Sequence, residues 1–226
     1  MRKIPDDLIL FISGVSCVGK TSIAHNIVRL CPEFRNISEM DISRTMARRV
    51  VNDLALTNNL PMDTICKNNI YASLFESTKN NDFKIYKEQA AFFVNSITDI
   101  VKRQQARKIP TIIEGINIVP SLYFDNYKNI IGYETNIIFV NLYLSDFNAH
   151  VQRRFKRCQE RGYLDDYTDT QNTVRKIVCN KQMELLNETT LLAKKVNNVF
   201  NIDTANKTID DVSNEILDII YKKFEK

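Results

Sequence analysis

Residues 14–21 read GVSCVGKT, an octapeptide of the form G-x-x-x-x-G-K-[ST]. It stands between an apolar run, LILFIS, and a helix-like stretch, TSIAHNIVRL. No other feature restricts the chain as tightly. Gly14 and Gly19 let backbone wrap an anion with its N–H groups turned inward, and Val15, Ser16, Cys17 and Val18 complete the cradle. Lys20 brings an ammonium to the terminal phosphates of a nucleotide. The Thr21 hydroxyl is a ligand for Mg²⁺, and Ser22 follows in the first turn of a helix whose positive end faces the phosphates. Glycine occurs only five times in 226 residues, so two of them in one octapeptide carry weight.

A loop of this kind needs a strand before it and a helix after it, and the rest of the chain supplies the matching pattern. Five runs read as strands: Leu8–Ser13, Arg35–Glu39, Thr111–Glu114, Asn136–Leu144 and Val199–Asp203. Their Ile, Val, Leu and Phe do not alternate with polar residues, which is the mark of strands covered on both faces of a parallel sheet. Helical spacing fills the intervals, over Lys20–Leu30, Ile42–Leu56, Met62–Thr78, Phe83–Lys108, Phe147–Arg161, Thr170–Lys195 and Ile209–Phe224. Alternation of this type predicts an α/β doubly wound fold in a single domain over residues 1–226. Its parts are a five-stranded parallel sheet with helices on both faces, a helical insertion over about 42–108 and an Arg-rich lid over about 147–165.

Composition narrows the chemistry. Lys and Arg number 31 against 27 Asp and Glu, a net charge of +4, short of what non-specific nucleic-acid binding usually shows. Five scattered cysteines without a CxxC, and only two histidines, offer little for a disulfide framework, a zinc site or a Ser-His-Asp triad. The cysteine usage suits a reducing cytosol. The apolar run near the N-terminus is too short for a signal peptide core or a membrane span, so a cytoplasmic protein is expected. No glycine has Asp three residues before it and no NKxD is present, which sets a GTPase switch aside. A small-molecule kinase is what a compact chain with this loop points to.

Companion residues follow. Asp41, in SEMDISRTMARR, either takes the proton from an attacking hydroxyl or caps a helix. Arg44 and Arg48 are four apart on that helix and share a face, as an anionic acceptor requires; a solvated basic face is the alternative. Glu114 ends a strand at the carboxyl edge of the sheet, where ligands bind, placed to hold Mg²⁺ through water or to orient the acceptor. Arg153, Arg157 and Arg161 fall at i, i+4 and i+8 with Arg154 beside them, either as a lid that closes on the transferring phosphoryl group or as a contact for a nucleic-acid backbone. Cys17 is read as a filler.

Several stretches, taken in order, resemble the 2-phosphoglycerate kinase family of P-loop kinases. They are ISGVSCVGKTSIA, MDISRTMARR, YASLF with IYKEQAAFFV, IIEGINIVP at 112–120, HVQRRFKR, and RGYLDDY through NTVRKI. The resemblance implies a nucleoside-kinase-like P-loop fold and ATP-dependent, Mg²⁺-assisted phosphorylation of the 3-hydroxyl of 2-phosphoglycerate, giving 2,3-bisphosphoglycerate. By this likeness Gly19, Lys20 and Thr21 bind ATP and metal. Asp41, Arg44 and Glu114 line the acceptor site, and Arg154 and Arg157 belong to the lid. Asn117 stands on the acceptor side where the family signature has His, and Cys17 where the loop usually has Gly. Rival readings are a polynucleotide or RNA kinase, a nucleotide-sugar kinase, and a nucleotide-binding regulatory module that transfers phosphate to nothing but water.

Overall fold

The structure, a computed structural model, describes residues 3–58, 83–124, 136–162 and 167–225. Its sheet has five parallel strands in the order β2-β3-β1-β4-β5. They are β1 (Ile9–Ser13), β2 (Asn36–Glu39), β3 (Thr111–Glu114), β4 (Ile137–Tyr143) and β5 (Val199–Asp203). Each lies within the run that hydrophobic patterning marks. The strand that feeds the loop is therefore central, and its carboxyl end opens between those of β3 and β4.

Both faces of the sheet are covered, which is why its strands are apolar throughout. On one face Leu8, Leu10 and Ile12 join Ile138, Val140 and Leu142 of β4. They meet Ile23 and Ile27 of α1 (Lys20–Leu30) and Val212, Ile216 and Ile220 of α7 (Ile209–Phe224). On the other face Ile9, Phe11, Ile113 and Phe139 pack against Phe93, Val94, Ile97 and Val101 of α3 (Phe83–Ala106). Each such side chain stabilises the fold by about 1.5–3 kcal/mol through burial, and together they hold the strand ends that build the site.

α2 (Met40–Thr57) follows β2 directly, and α4 (Phe147–Glu160) follows β4. The helix expected at Met62–Thr78 falls outside the described residues; the parts of the insertion that are described hold helices α2 and α3. The long helix expected at Thr170–Lys195 is three pieces: α5 (Tyr167–Thr173), a π-helical stretch (Val174–Val178) and α6 (Cys179–Ala193). Thr170, Val174 and Val178 are all buried at intervals of four. An α-helix advances 40° past a full circle every four residues, and the wider π turn removes that drift, so all three face the core. No helix among the described residues is long and apolar enough to cross a membrane.

Candidate active site

The loop after β1 bends through three left-handed or extended-positive residues, Gly14 (φ 137°), Cys17 (φ 68°) and Gly19 (φ 100°). Alternation of left- and right-handed conformations turns successive N–H groups toward one side, the geometry of an anion cradle. Glycine is required at 14, because a Cβ there would sit 2.4 Å from the Leu142 carbonyl oxygen. Cys17, read as a filler, holds a left-handed conformation that a side chain rarely adopts, with its Sγ 3.4 Å from Ser16 Oγ and 4.0 Å from Arg157 Nη1.

Lys20 opens α1 and is buried, and its Nζ donates to the Val15 carbonyl at 2.9 Å. Burial pulls its pKa down, while the charges of Glu114 and Asp41 hold it up and Arg157 opposes them. Three of the other expected catalytic residues, Glu114, Asp41 and Arg157, thus act electrostatically on the Lys20 ammonium. Thr21 Oγ1 donates to Glu114 Oε1 at 2.7 Å. Register explains the pairing, because Glu114 lies beside Ile12 of β1, two residues before the loop begins. Glu114 is itself buried, which raises its pKa; the Thr21 hydrogen bond and Lys20 pull the other way. Ser22 is exposed in the first turn of α1.

Asp41 does not cap α2. The helix starts one residue earlier, with Glu39 in the capping position, so Asp41 sits in the first turn with an exposed side chain. Its charge still reaches Lys20, Glu114 and Tyr86. Arg44 is half-buried, and its Nε and Nη1 have no hydrogen-bond partner among the described residues. Arg48 lies on the same helix, and its side chain is outside what the structure describes. Asn117, in the turn after β3, is fully buried, with both ends of its amide unpartnered among the described residues.

The arginines of α4 divide. Arg157 faces the loop through Cys17, and the charge of Arg154 reaches His150. Arg153 turns away and donates to Thr204 Oγ1 and to the Thr204 carbonyl, at 3.3 and 3.2 Å. The i, i+4, i+8 stripe is thus not one surface, since its first member is spent on the β5 end of the sheet.

Four neighbours of the site were not singled out as members by the sequence. His150 is fully buried and its Nε2 lies 2.8 Å from the Ser16 carbonyl, tying α4 to the loop. Glu39 ends β2 directly beside Glu114 and raises its pKa. Tyr86 donates from its hydroxyl to the Ile116 carbonyl, and Gln89 is buried one turn further along α3. Glu39 had a legible signal, a carboxylate at a strand's carboxyl end, as Glu114 has.

The phosphate loop after the central strand of a five-stranded parallel sheet, with a helix springing from its lysine, defines a P-loop kinase fold. Comparison with known proteins agrees. The chain is 26% identical over 173 residues to a 2-phosphoglycerate kinase of Methanothermobacter thermautotrophicus, a match covering 71% of this chain and 50% of that protein. It is 25% identical over 224 residues to a 2-phosphoglycerate kinase of Methanococcus maripaludis, covering 96% and 65%. This chain thus spans about half to two thirds of the length of these curated relatives. Among solved structures, a gluconokinase from Sinorhizobium meliloti 1021 superposes with a TM-score of 0.54 at 14% identity, over 98% of this chain and 95% of that one. No protein-family model matches.

Proposed function

We propose that the chain, as one catalytic domain, transfers the γ-phosphoryl group of ATP to the hydroxyl of a small anionic acceptor. The acceptor favoured by the similarity to the two archaeal enzymes is 2-phosphoglycerate, with 2,3-bisphosphoglycerate as product. The observation that supports this most is the loop itself, where buried Lys20 is held by the Val15 carbonyl, Thr21 is bonded to Glu114 and Arg157 reaches Cys17, with the charge of Asp41 acting on Lys20.

Mg²⁺ fits the residues present. A hydroxyl and a carboxylate, Thr21 and Glu114, stand side by side, and Mg²⁺ prefers one or two such oxygens together with substrate phosphates and water. The described residues hold no group of three or more His, Cys, Asp or Glu that would cage a metal by itself. When bound, the ion neutralises charge on the phosphates. The chain's own groups do the rest. Lys20 and Arg157 stabilise charge on the transferred group, Arg154 supports them, and Arg44 with Arg48 holds the acceptor's anionic end. A new bond forms from the acceptor oxygen to the γ-phosphorus as the bond to the bridging oxygen breaks, ADP leaves, and the hydroxyl proton passes to Asp41. Glu114, engaged with Thr21, serves the metal side. Diversion of Arg153 to Thr204 thins the basic stripe and favours a small acceptor over a nucleic-acid backbone.

Incubation with labelled ATP, Mg²⁺ and a panel of phosphorylated hydroxy acids, nucleosides and oligonucleotides tests this. Label in a bisphosphorylated acid, lost in Lys20→Ala, is the expected result. Label appearing only in inorganic phosphate or in oligonucleotide overturns it.

A further inference from the structure

Most buried amide side chains that lack a partner lack it at one end only, as with Gln104, Asn141 and Asn198. Gln89 and Asn117 are different: both the nitrogen and the oxygen of each amide are buried and unpartnered among the described residues. Each residue is at most 1% exposed. Leaving such groups unpaired costs the fold their hydration with nothing returned, so the pair calls for an occupant.

The two amides belong to one place. Tyr86, Gln89, Ala90 and Phe93 are buried at i, i+3, i+4 and i+7, which puts Gln89 in the middle of the inner face of α3. Tyr86 on that face donates to the carbonyl of Ile116, the residue before Asn117, and packs with Val119, two residues after it. The start of α2 lies against the same turn. Met40 is so close to Gly115 that a Cβ there would come within 2.7 Å of the Met40 Cβ. Arg44, one turn beyond Met40, also has buried donors, its Nε and Nη1, unpartnered among the described residues. Asp41, between them in sequence, acts electrostatically on Tyr86.

We infer that Gln89 and Asn117 form a neutral amide clamp in the acceptor pocket, which reads an uncharged hydroxyl of the acceptor while Arg44 takes its charged end. The inference rests on the acceptor site proposed above and adds to it a residue, Gln89, and a discrimination. An amide N–H donates to the hydroxyl oxygen, leaving one lone pair for the new bond and the hydrogen for Asp41. The second amide holds the uncharged oxygen on the neighbouring carbon. Neutral partners suit a hydroxyl, whereas a cation at the same place favours another anion. An analogue without the hydroxyl leaves the clamp unpaired and is rejected.

The test uses Gln89→Met, Asn117→Leu and the double variant, which keep volume and remove polarity. Three quantities are read: melting temperature of the free protein, ATP binding with Mg²⁺, and affinity for 2-phosphoglycerate against 2-phospholactate, which lacks the 3-hydroxyl. The wild type is expected to prefer 2-phosphoglycerate by about tenfold or more, and the double variant to lose that preference to within about threefold. ATP affinity should stay within about twofold, and the melting temperature should hold or rise, because apolar replacements relieve unpaired polar groups. A melting temperature lowered by more than about 3 °C assigns the amides to holding the fold and overturns the clamp. Undiminished preference in the double variant overturns the clamp while leaving the kinase reading intact. A wild type that binds ATP but neither binds nor phosphorylates 2-phosphoglycerate sinks the acceptor reading, and the clamp with it.

Discussion

Thr21 Oγ1 donates a 2.7 Å hydrogen bond to Glu114 Oε1 across 93 residues of chain. The bond joins the end of the phosphate loop to the carboxyl end of β3, so the hydroxyl and carboxylate that fit Mg²⁺ are oriented before any ligand arrives. Glu114 carries a cost for this position: burial raises its pKa above the ordinary 4.5. A carboxyl group with a raised folded-state pKa lends stability below the unfolded value, and that stability is lost as pH rises through the folded one.

Glu114→Gln keeps the shape and removes the charge. Its melting temperature should match the wild type in acid, below about pH 4.5, and exceed it increasingly as pH rises through the raised pKa of Glu114, a titration the variant lacks. Transfer should fall by about a hundredfold. Thermal melts across that range, with steady-state rates, check both, and a variant less stable at its upper end would show that Glu114 is stabilising as an anion.

His150 carries the opposite sign. Burial holds its pKa below 6.5, assisted by Arg153, Arg154 and Lys20 and resisted by the Ser16 carbonyl. Stability from a neutral buried histidine is present above pH 6.5 and is lost as pH falls through the lowered value. His150→Gln should lose about 1–2 kcal/mol at neutral pH through the broken tie to Ser16 and show a flatter stability profile between about pH 5 and 7. Denaturant titrations across that range decide it; parallel profiles for variant and wild type remove His150 as the titrating group.

Arg44→Ala should raise the acceptor KM by about tenfold or more and leave the ATP KM within about twofold, because a charge-assisted contact to the acceptor's anionic end is lost and the phosphate loop is untouched. Two-substrate kinetics separates the constants. Equal rises in both would take Arg44 out of the acceptor pocket.

Gly14→Ala meets two obstacles at once, a backbone with φ 137° and a carbonyl oxygen 2.4 Å from the new Cβ. A loss of about 2–4 kcal/mol is expected, read as a fall in melting temperature of about 5–15 °C for a chain of this size. The same change at Gly162, where a Cβ meets nothing within 4 Å, should be milder.

The central strand, the loop and the helix that follows it were legible because their signals are local: an apolar run, two glycines five residues apart, and a helical period. The amino-acid sequence alone marked the five strand runs and the loop that carries Lys20 and Thr21, since each rests on residues near one another in the chain. Tertiary structure alone decided which distant groups meet them. Ser16 and His150 are 134 residues apart, and their contact depends on how α4 leans on the loop. The pairing of Thr21 with Glu114 depends on β3, rather than β2, lying beside β1. Arg153 and Arg157 share a helical stripe yet part company, because the end of β5 offers Thr204 to one and the loop offers Cys17 to the other. Gln89 is one more polar residue on a helix until packing buries it, unpartnered among the described residues. Spacing along a chain sets which side chains share a face, but strand order and helix rotation set what that face meets.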